Sequence, residues 1–233
     1  MSEVVRLSKR VVELLGCSRR EAELYIENGG VSVDGEIIDA PFYKVRPQQQ
    51  VALIENASAQ RIARSTVILN APANYPELDE DESAEWLEHW QQADGEAPLV
   101  YKQRANLLMG PELAEGCSGL LVLTQVELLL PKLARVEQEY VLHVTGEASA
   151  GRLAQLQNAD FCAKHNLPKG RASWQSEGRL RYVMKGDQLL NAHKLCAAVG
   201  LAFTEGRRLR LGGVSLSRLP LGQWRMTKES ERF

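Results

Sequence analysis

No apolar run in the 233-residue sequence approaches the roughly eighteen residues that a membrane span needs. Arg6, Lys9 and Arg10 break up the N-terminus before it can build the apolar core of a signal peptide. No membrane partner is expected, and the expected compartment is the cytosol. The four cysteines, Cys17, Cys117, Cys162 and Cys196, are scattered and form no CxxC pair. That spacing supports neither a zinc site nor a disulfide framework, and it leaves plain thiols of a reducing compartment. His89, His143, His165 and His193 show no metal-ligand spacing, and there is no glycine-rich phosphate loop. Neither a metal nor an organic cofactor is expected.

What is present is an ordinary soluble composition, 44% hydrophobic and 25% charged, in a chain long enough for one large domain or two modest ones. The net charge of -2 conceals a strong segregation. Residues 1–20 hold five Lys/Arg and two Glu, and residues 201–233 hold seven Lys/Arg and three Glu. Residues 77–96 hold nine Asp/Glu and no Lys/Arg. Phosphate contacts are local, so two basic ends remain compatible with a polyanionic partner despite the acidic sum.

The first fifty residues parse into short elements. Ser8 can cap a helix whose apolar face is Leu7, Val11, Leu14 and Leu15, and Gly16 can end it in the left-handed conformation. Ser18 and Glu21 have capping-box spacing at the start of a second helix, with Ala22, Tyr25 and Ile26 as its apolar stripe. Asn28-Gly29-Gly30 stops that helix. Val31-Ser32-Val33, the turn Asp34-Gly35 and Glu36-Ile37-Ile38 then read as a hairpin. Arg19 and Arg20 sit in the first turn, where the helix dipole disfavours cations but where free amides and guanidinium groups together suit a phosphate.

This stretch resembles an S4 domain, the small RNA-binding module of ribosomal protein S4, tyrosyl-tRNA synthetases and one family of pseudouridine synthases. The resemblance implies two helices on a short hairpin, with Arg6, Ser8, Lys9, Arg10, Ser18, Arg19 and Arg20 as RNA-binding residues. Val51–Ile54 can close this domain as a last strand, giving a first domain over 1–55. Residues 56–65 read as a polar linker. A second domain, 66–233, opens with the β-rich run Thr66 to Ala71 before Pro72. Trp86, Leu87 and Trp90 can share one face of an acidic amphipathic helix within 77–96.

The segment from Gly110 to Thr124 ends in Ser118-Gly119, read as a turn, and Leu120 to Leu123, read as a buried strand. It is similar to the signature segment of the S4-containing pseudouridine synthases, in which Gly-Arg-Leu-Asp precedes Ser/Thr-Gly-Leu-Leu-Leu-Leu-Thr. Aligned on SGLLVLT, the family's arginine falls on Glu112 and its catalytic aspartate on Ala114. The resemblance implies that this aspartate does the nucleophilic chemistry that detaches uracil and lets it reattach through carbon. Alanine can neither attack nor take a proton. Glu112 and Glu115 are the nearest carboxylates, each displaced from the required position, and a shift of one residue in a strand turns a side chain to the other face.

The run 135–144 is similar to the family's Lys-x-Tyr strand. Tyr140 matches the tyrosine that packs on the flipped uracil, while Gln138 stands at the lysine position. The family's opening Leu-Asn-Lys-Pro is here Leu69-Asn70-Ala71-Pro72. Its basic helix is matched by 186–196, with His193 and Lys194 at the Arg-Arg pair. Residues 214–225 strongly resemble the family's closing motif, and Arg207, Arg208 and Arg210 retain the basic strand before it. The chain is most similar to the branch that modifies 23S rRNA. The implied fold is α+β, an S4 domain followed by a mixed α/β domain on an antiparallel sheet. Three functions compete. The first is a catalytically silent RNA-binding relative, a monomer that takes rRNA or, failing that, tRNA. The second is a working synthase with a relocated carboxylate. The third is a protein-interaction module using the acidic segment and the vacated cleft.

Overall fold

The computed structural model describes residues 4–55, 57–79, 82–95, 99–186 and 188–233. Strand β1 (Val5–Arg6) runs directly into helix α1 (Leu7–Leu15), and α2 (Arg19–Glu27) follows. Gly16 ends α1 at φ 63°, its amide donating to Val12 O. The capping box of α2 forms on both sides: Glu21 N–H donates to Ser18 Oγ at 3.2 Å, and Ser18 N–H donates to the Glu21 carboxylate at 2.8 Å. Ser8 does not cap α1. Helix α1 begins two residues earlier, at Leu7 with Arg6 at the cap position, and Ser8 is buried inside the first turn.

Strands β2 (Val31–Val33) and β3 (Glu36–Ile37) form the expected hairpin, with Asp34 at φ 53° and Gly35 at φ 87°. Two successive positive φ angles match the right-handed twist of the strands, which is why an Asp-Gly pair serves there. After β4 (Lys44–Val45), which pairs with β1, β5 (Val51–Leu53) closes a sheet of order β3-β2-β5. Leu7, Val11, Ala22, Ile26, Val31, Val33 and Val45 make the core of this unit.

Residues 57–65 contain no helix or strand. They are tied to α2 by Asn28, whose side-chain amide donates to Ser58 O and Gln60 O. The front unit also rests on the rest of the chain through ion pairs from Lys102 to Glu27 (2.6 Å) and from Arg104 to Asp39 (2.8 Å).

The second unit is built on a ten-stranded sheet. Its elements are β6 (Thr66–Ala71), α3 (Ser83–Glu88), β7 (Gln91–Gln92), α4 (Tyr101–Arg104), β8 (Leu108–Met109), β9 (Cys117–Thr124) and α5 (Leu130–Leu133). They continue with β10 (Glu137–Thr145), α6 (Ala150–Ala154), α7 (Ala159–His165), β11 (Gly170–Ser176), β12 (Arg179–Lys185), α8 (Ala192–Ala198), β13 (Ala202–Leu211), β14 (Val214–Ser215) and β15 (Gln223–Met226). The order is β11-β12-β10-β13-β9-β6-β15-β7, with β14 on β13 and β8 on β9. The fold is thus α+β, as expected, but the sheet is mixed: β13 runs parallel to β9, and β15 runs parallel to β7.

Strands β6 and β9 are apolar on both faces because both are covered. Val67, Leu69, Leu121 and Leu123 pack with Trp86 and Trp224, and Ile68, Leu120 and Val122 pack with Leu133, Leu211 and Val214. Farther along, helices α6 to α8 cover one face of β10 and β12, burying Tyr140, Leu142, Leu180 and Tyr182.

Three local expectations are corrected. Ser118 and Gly119 are not a turn but lie inside β9, where Gly119 takes φ 119° against the β13 backbone. A Cβ there would meet Arg208 O at 2.3 Å, so only glycine allows the two strands to approach. The acidic helix shrinks to Ser83–Glu88, the described part of the remaining segment being non-helical apart from Glu82 directly before it. Its charges repel along one face, whereas Trp86 and Leu87 have a core to enter. Residues 80, 81 and 96 of that segment lie outside the described residues. The basic helix begins only at Ala192, capped by Asn191 Oδ1, which accepts from Lys194 N–H at 2.8 Å. Asp187 of that motif lies outside the described residues.

Candidate RNA-binding surfaces and the cleft at Ala114

Ala114 is 2% exposed and belongs to the apolar cluster under the β10–β12 sheet, with Cys117, Tyr140, Leu142 and Cys196. Glu112 and Glu115 on either side of it are exposed. Glu115 is bound outward, accepting from Asn191 Nδ2 at 3.4 Å. Ala114 is therefore closed in by apolar side chains, and neither neighbouring carboxylate is turned toward it. Burial pushes the Cys117 thiol up to about 12, against an opposing pull from Arg208, so at neutral pH this sulfur is no thiolate.

Arg208 organises the centre of this region. Its side chain is fully buried, and no carboxylate pairs with it among the described residues. Instead its guanidinium donates to Leu120 O (2.7 Å), Pro111 O (2.7 Å), Glu112 O (2.9 Å) and Gln138 Oε1 (3.2 Å). A weaker contact reaches the Tyr140 hydroxyl at 3.4 Å, and the cation lies 6.0 Å from that ring. Five donors in a fixed fork can satisfy several carbonyls at once, which an ammonium cannot do with this geometry. The result pins residues 111 and 112 against β9 and β13.

Tyr140 is fully buried, so it offers no free ring face for stacking. Burial raises its hydroxyl's pKa, opposed by the charge of Arg208 and by hydrogen bonds from Arg208 and the Ala114 amide. Beside residues 109–111 opens a cleft of about 380 Å³ lined by Met109, Pro111, Leu130, Ala134, Gln138 and Gln188. Among the described residues no ionisable side chain lines it.

The basic residues expected to meet RNA divide into separate places. Arg6, Lys9 and Arg19 share a groove of about 500 Å³ between β1, α1 and the start of α2. Arg20 lines a second cleft of about 490 Å³, where the front unit meets Arg64, Lys102 and Gln125. Sequence reasoning missed Arg64 and Lys102 because only the docking of the two units brings them to Arg20. Arg10 lies beside Glu13, 3.7 Å away, in a third hollow. Arg19 and Arg20 contact Glu23 at 2.9 and 3.9 Å while remaining 75% and 58% exposed, and surface pairs of this kind are weak enough to yield to a phosphate. His193 and Lys194 are exposed on α8.

Four of the expected residues are not free. Arg208 is a correction, since a guanidinium with no exposure cannot meet a polyanion. Ser8 is buried, and Ser18 spends its hydroxyl on the Glu21 amide. Arg210 is half-buried and paired with Glu137 and Glu139, while Arg207 beside it is exposed. Alternation along β13, broken by a bulge, sends these neighbours to different environments, and the sequence run alone cannot reveal it. No group of three or more His, Cys, Asp or Glu able to hold a metal occurs among the described residues, and no described helix is long and apolar enough to cross a membrane.

Comparison with known proteins gives consistent similarities. The S4 domain profile matches residues 5–51. The dual-specificity RNA pseudouridine synthase RluF of Escherichia coli (strain K12) is 27% identical over 242 residues, covering 97% of this chain and 77% of that protein. RluF of Salmonella typhi is also 27% identical, over 241 residues. Ribosomal small subunit pseudouridine synthase A of Escherichia coli (strain K12) is 37% identical over 71 residues, 30% of this chain and 31% of that protein. Among solved structures, a crystal structure of a pseudouridylate synthase superposes with a TM-score of 0.53 at 17% identity, covering 97% of each chain, a likeness of fold. The chain thus carries an S4 domain over residues 5–51 and is similar along nearly its whole length to bacterial RNA pseudouridine synthases.

Proposed function

We propose that this chain is an RNA-binding member of that family which does not isomerise uridine. It is read as a cytoplasmic monomer with an S4 domain over residues 1–55, a linker over 56–65 and a synthase-like domain over 66–233, rRNA being its RNA. The observation that carries the reading is Ala114, buried among apolar side chains where the family resemblance puts the nucleophile. The carboxylates of Glu112 and Glu115 face outward, which speaks against a relocated nucleophile, because catalytic geometry tolerates displacements of only about 0.5 Å. The Arg208 guanidinium has carbonyl rather than carboxylate partners, as befits a site whose acid has gone. Arg6, Lys9 and Arg19 gathered in one groove favour a bound polyanion over a protein ligand for the acidic segment, whose Trp86 and Leu87 are already spent on the core.

Single-turnover tritium release from transcripts labelled at uracil C5 tests this. Wild type should bind 23S rRNA transcripts and release no tritium from them, nor from 16S rRNA or tRNA. Release by wild type would show that another residue supplies the nucleophile and would end the silent reading. The Ala114→Asp protein, run alongside, separates two histories: regained release means that only the nucleophile was lost, and continued silence means that the cleft was lost with it.

A further inference from the structure

We propose that the open face of the β11-β12-β10-β13 sheet is a second RNA-docking surface, on the side of the sheet turned away from Ala114. This rests on the reading of the chain as an RNA binder. The face is defined by register. Arg171 pairs with Val183, Arg181 with Val141, Lys185 with Glu137, and Arg207 again with Val141. These residues alternate with Tyr140, Leu142 and Tyr182, whose side is covered by α6 to α8. The other side is exposed at Arg171, Arg179, Lys185 and Arg207.

Two kinds of charge occupy this face. Glu139 holds Arg181 at 2.7 Å and Arg210 at 3.0 Å, and Arg210 also binds Glu137, a ladder across three strands. The bonds from Arg181 hold the Glu139 carboxyl below the usual carboxylate range, so the ladder stays ionised. Around it, Arg171, Arg179, Lys185 and Arg207 form no ion pair among the described residues. The face thus keeps unpaired cations after its carboxylates Glu137 and Glu139 are neutralised, and its third, Glu205, lies 3.2 Å from His143. Glu177, in the turn before Arg179, sits at the rim.

The chemistry of this surface selects a phosphate backbone. Neighbouring strands stand about 4.8 Å apart and alternate residues on one strand about 6.7 Å apart, so rigid strands spread the four cations over roughly 20 Å, from Arg179 at one end of β12 to Lys185 at the other, the reach of several phosphates along a backbone. A protein partner would want an apolar or aromatic centre. Here the apolar residues of the face, Val141 and Val183, are only 8% and 7% exposed, each flanked by arginines across the sheet. A flat, cationic and wet surface suits contact by shape and charge without base reading.

The test is fluorescence anisotropy with two labelled probes, a 23S rRNA fragment and an RNA duplex of unrelated sequence, over a series of salt concentrations. Replacing Arg171, Arg179, Lys185 and Arg207 together by Gln should weaken binding about tenfold or more near physiological salt and make the log–log salt slope shallower by about 3.6. Changing the three arginines to Lys should preserve the slope. Should the quadruple protein melt early, Arg179→Gln and Arg207→Gln singly carry the test, each flattening the slope by about 0.9. A quadruple variant of wild-type melting temperature and wild-type slope, beside an Arg19→Ala/Arg20→Ala protein that loses binding, would overturn the second surface and leave the RNA reading standing. No salt-dependent binding by wild type to either probe would overturn both. A variant that keeps RNA binding but loses a co-purifying acidic protein would overturn the RNA assignment of this face.

Discussion

Arginine has opposite duties in the front unit and in the centre of the second. Arg19 and Arg20 stand on the first turn of α2, mostly exposed, beside a single glutamate. Arg208 has no exposure and is bonded to three backbone carbonyls and two side chains. The first pair is costly to its own helix, because cations oppose the dipole there. The second is costly to bury, because a desolvated charge must recover its hydration from the carbonyls around it. The difference teaches that the charge of a residue does not by itself say whether it recognises a ligand or holds the protein together. Burial decides, and burial is set by which strands meet.

Three substitutions test that contrast. The largest effect is expected from Arg208→Met, which fills much of the space but takes the guanidinium donors from the carbonyls of Pro111, Glu112 and Leu120 and leaves Glu112 O only the longer bond from Gln188 at 3.3 Å. A loss of about 3–5 kcal/mol is expected in urea unfolding, with no change in the salt slope of RNA binding. If the variant were as stable as wild type, the guanidinium would not be the fastener of this region. Next comes Arg19→Ala with Arg20→Ala. RNA affinity should fall about tenfold and the salt slope should drop by about 2, while the unfolding midpoint stays level or rises slightly. A fall in stability without loss of RNA binding would reverse the roles assigned to the two regions. Smallest is Ser18→Ala, which removes the hydroxyl that receives the Glu21 amide. It should cost about 1 kcal/mol in thermal or chemical unfolding and change RNA binding only through the alignment of the adjacent arginines.

Much of the front unit was legible because its determinants are local. The cap at Ser18, the left-handed stop at Gly16 and the Asp34-Gly35 turn each act within four residues of their partners. Ser8 misled because a serine near a helix start is a good cap wherever the chain is free. Here β1 enters α1 directly and pairs with β4, so the helix starts before it. The acidic segment misled for a related reason: helical periodicity showed which residues could share a face, but Leu78 and Ala93 reach the core from outside the short helix that carries Trp86 and Leu87.

The sequence by itself determined the order of the two units, the capping box of α2 and the glycine stop of α1, the buried strand from Leu120 to Leu123, and the alanine at the position where the family resemblance puts an aspartate. These depend on neighbours along the chain or on a matched motif. Only the tertiary structure decided that Ser118 and Gly119 belong to a strand, because it is the approach of the β13 backbone that requires a glycine there. Only it decided that Arg207 faces solvent, Arg208 the core and Arg210 a pair of glutamates. A bulge opposite Glu139 and Tyr140 changes the side to which each successive residue turns, and a bulge is a property of two strands together, not of either sequence alone.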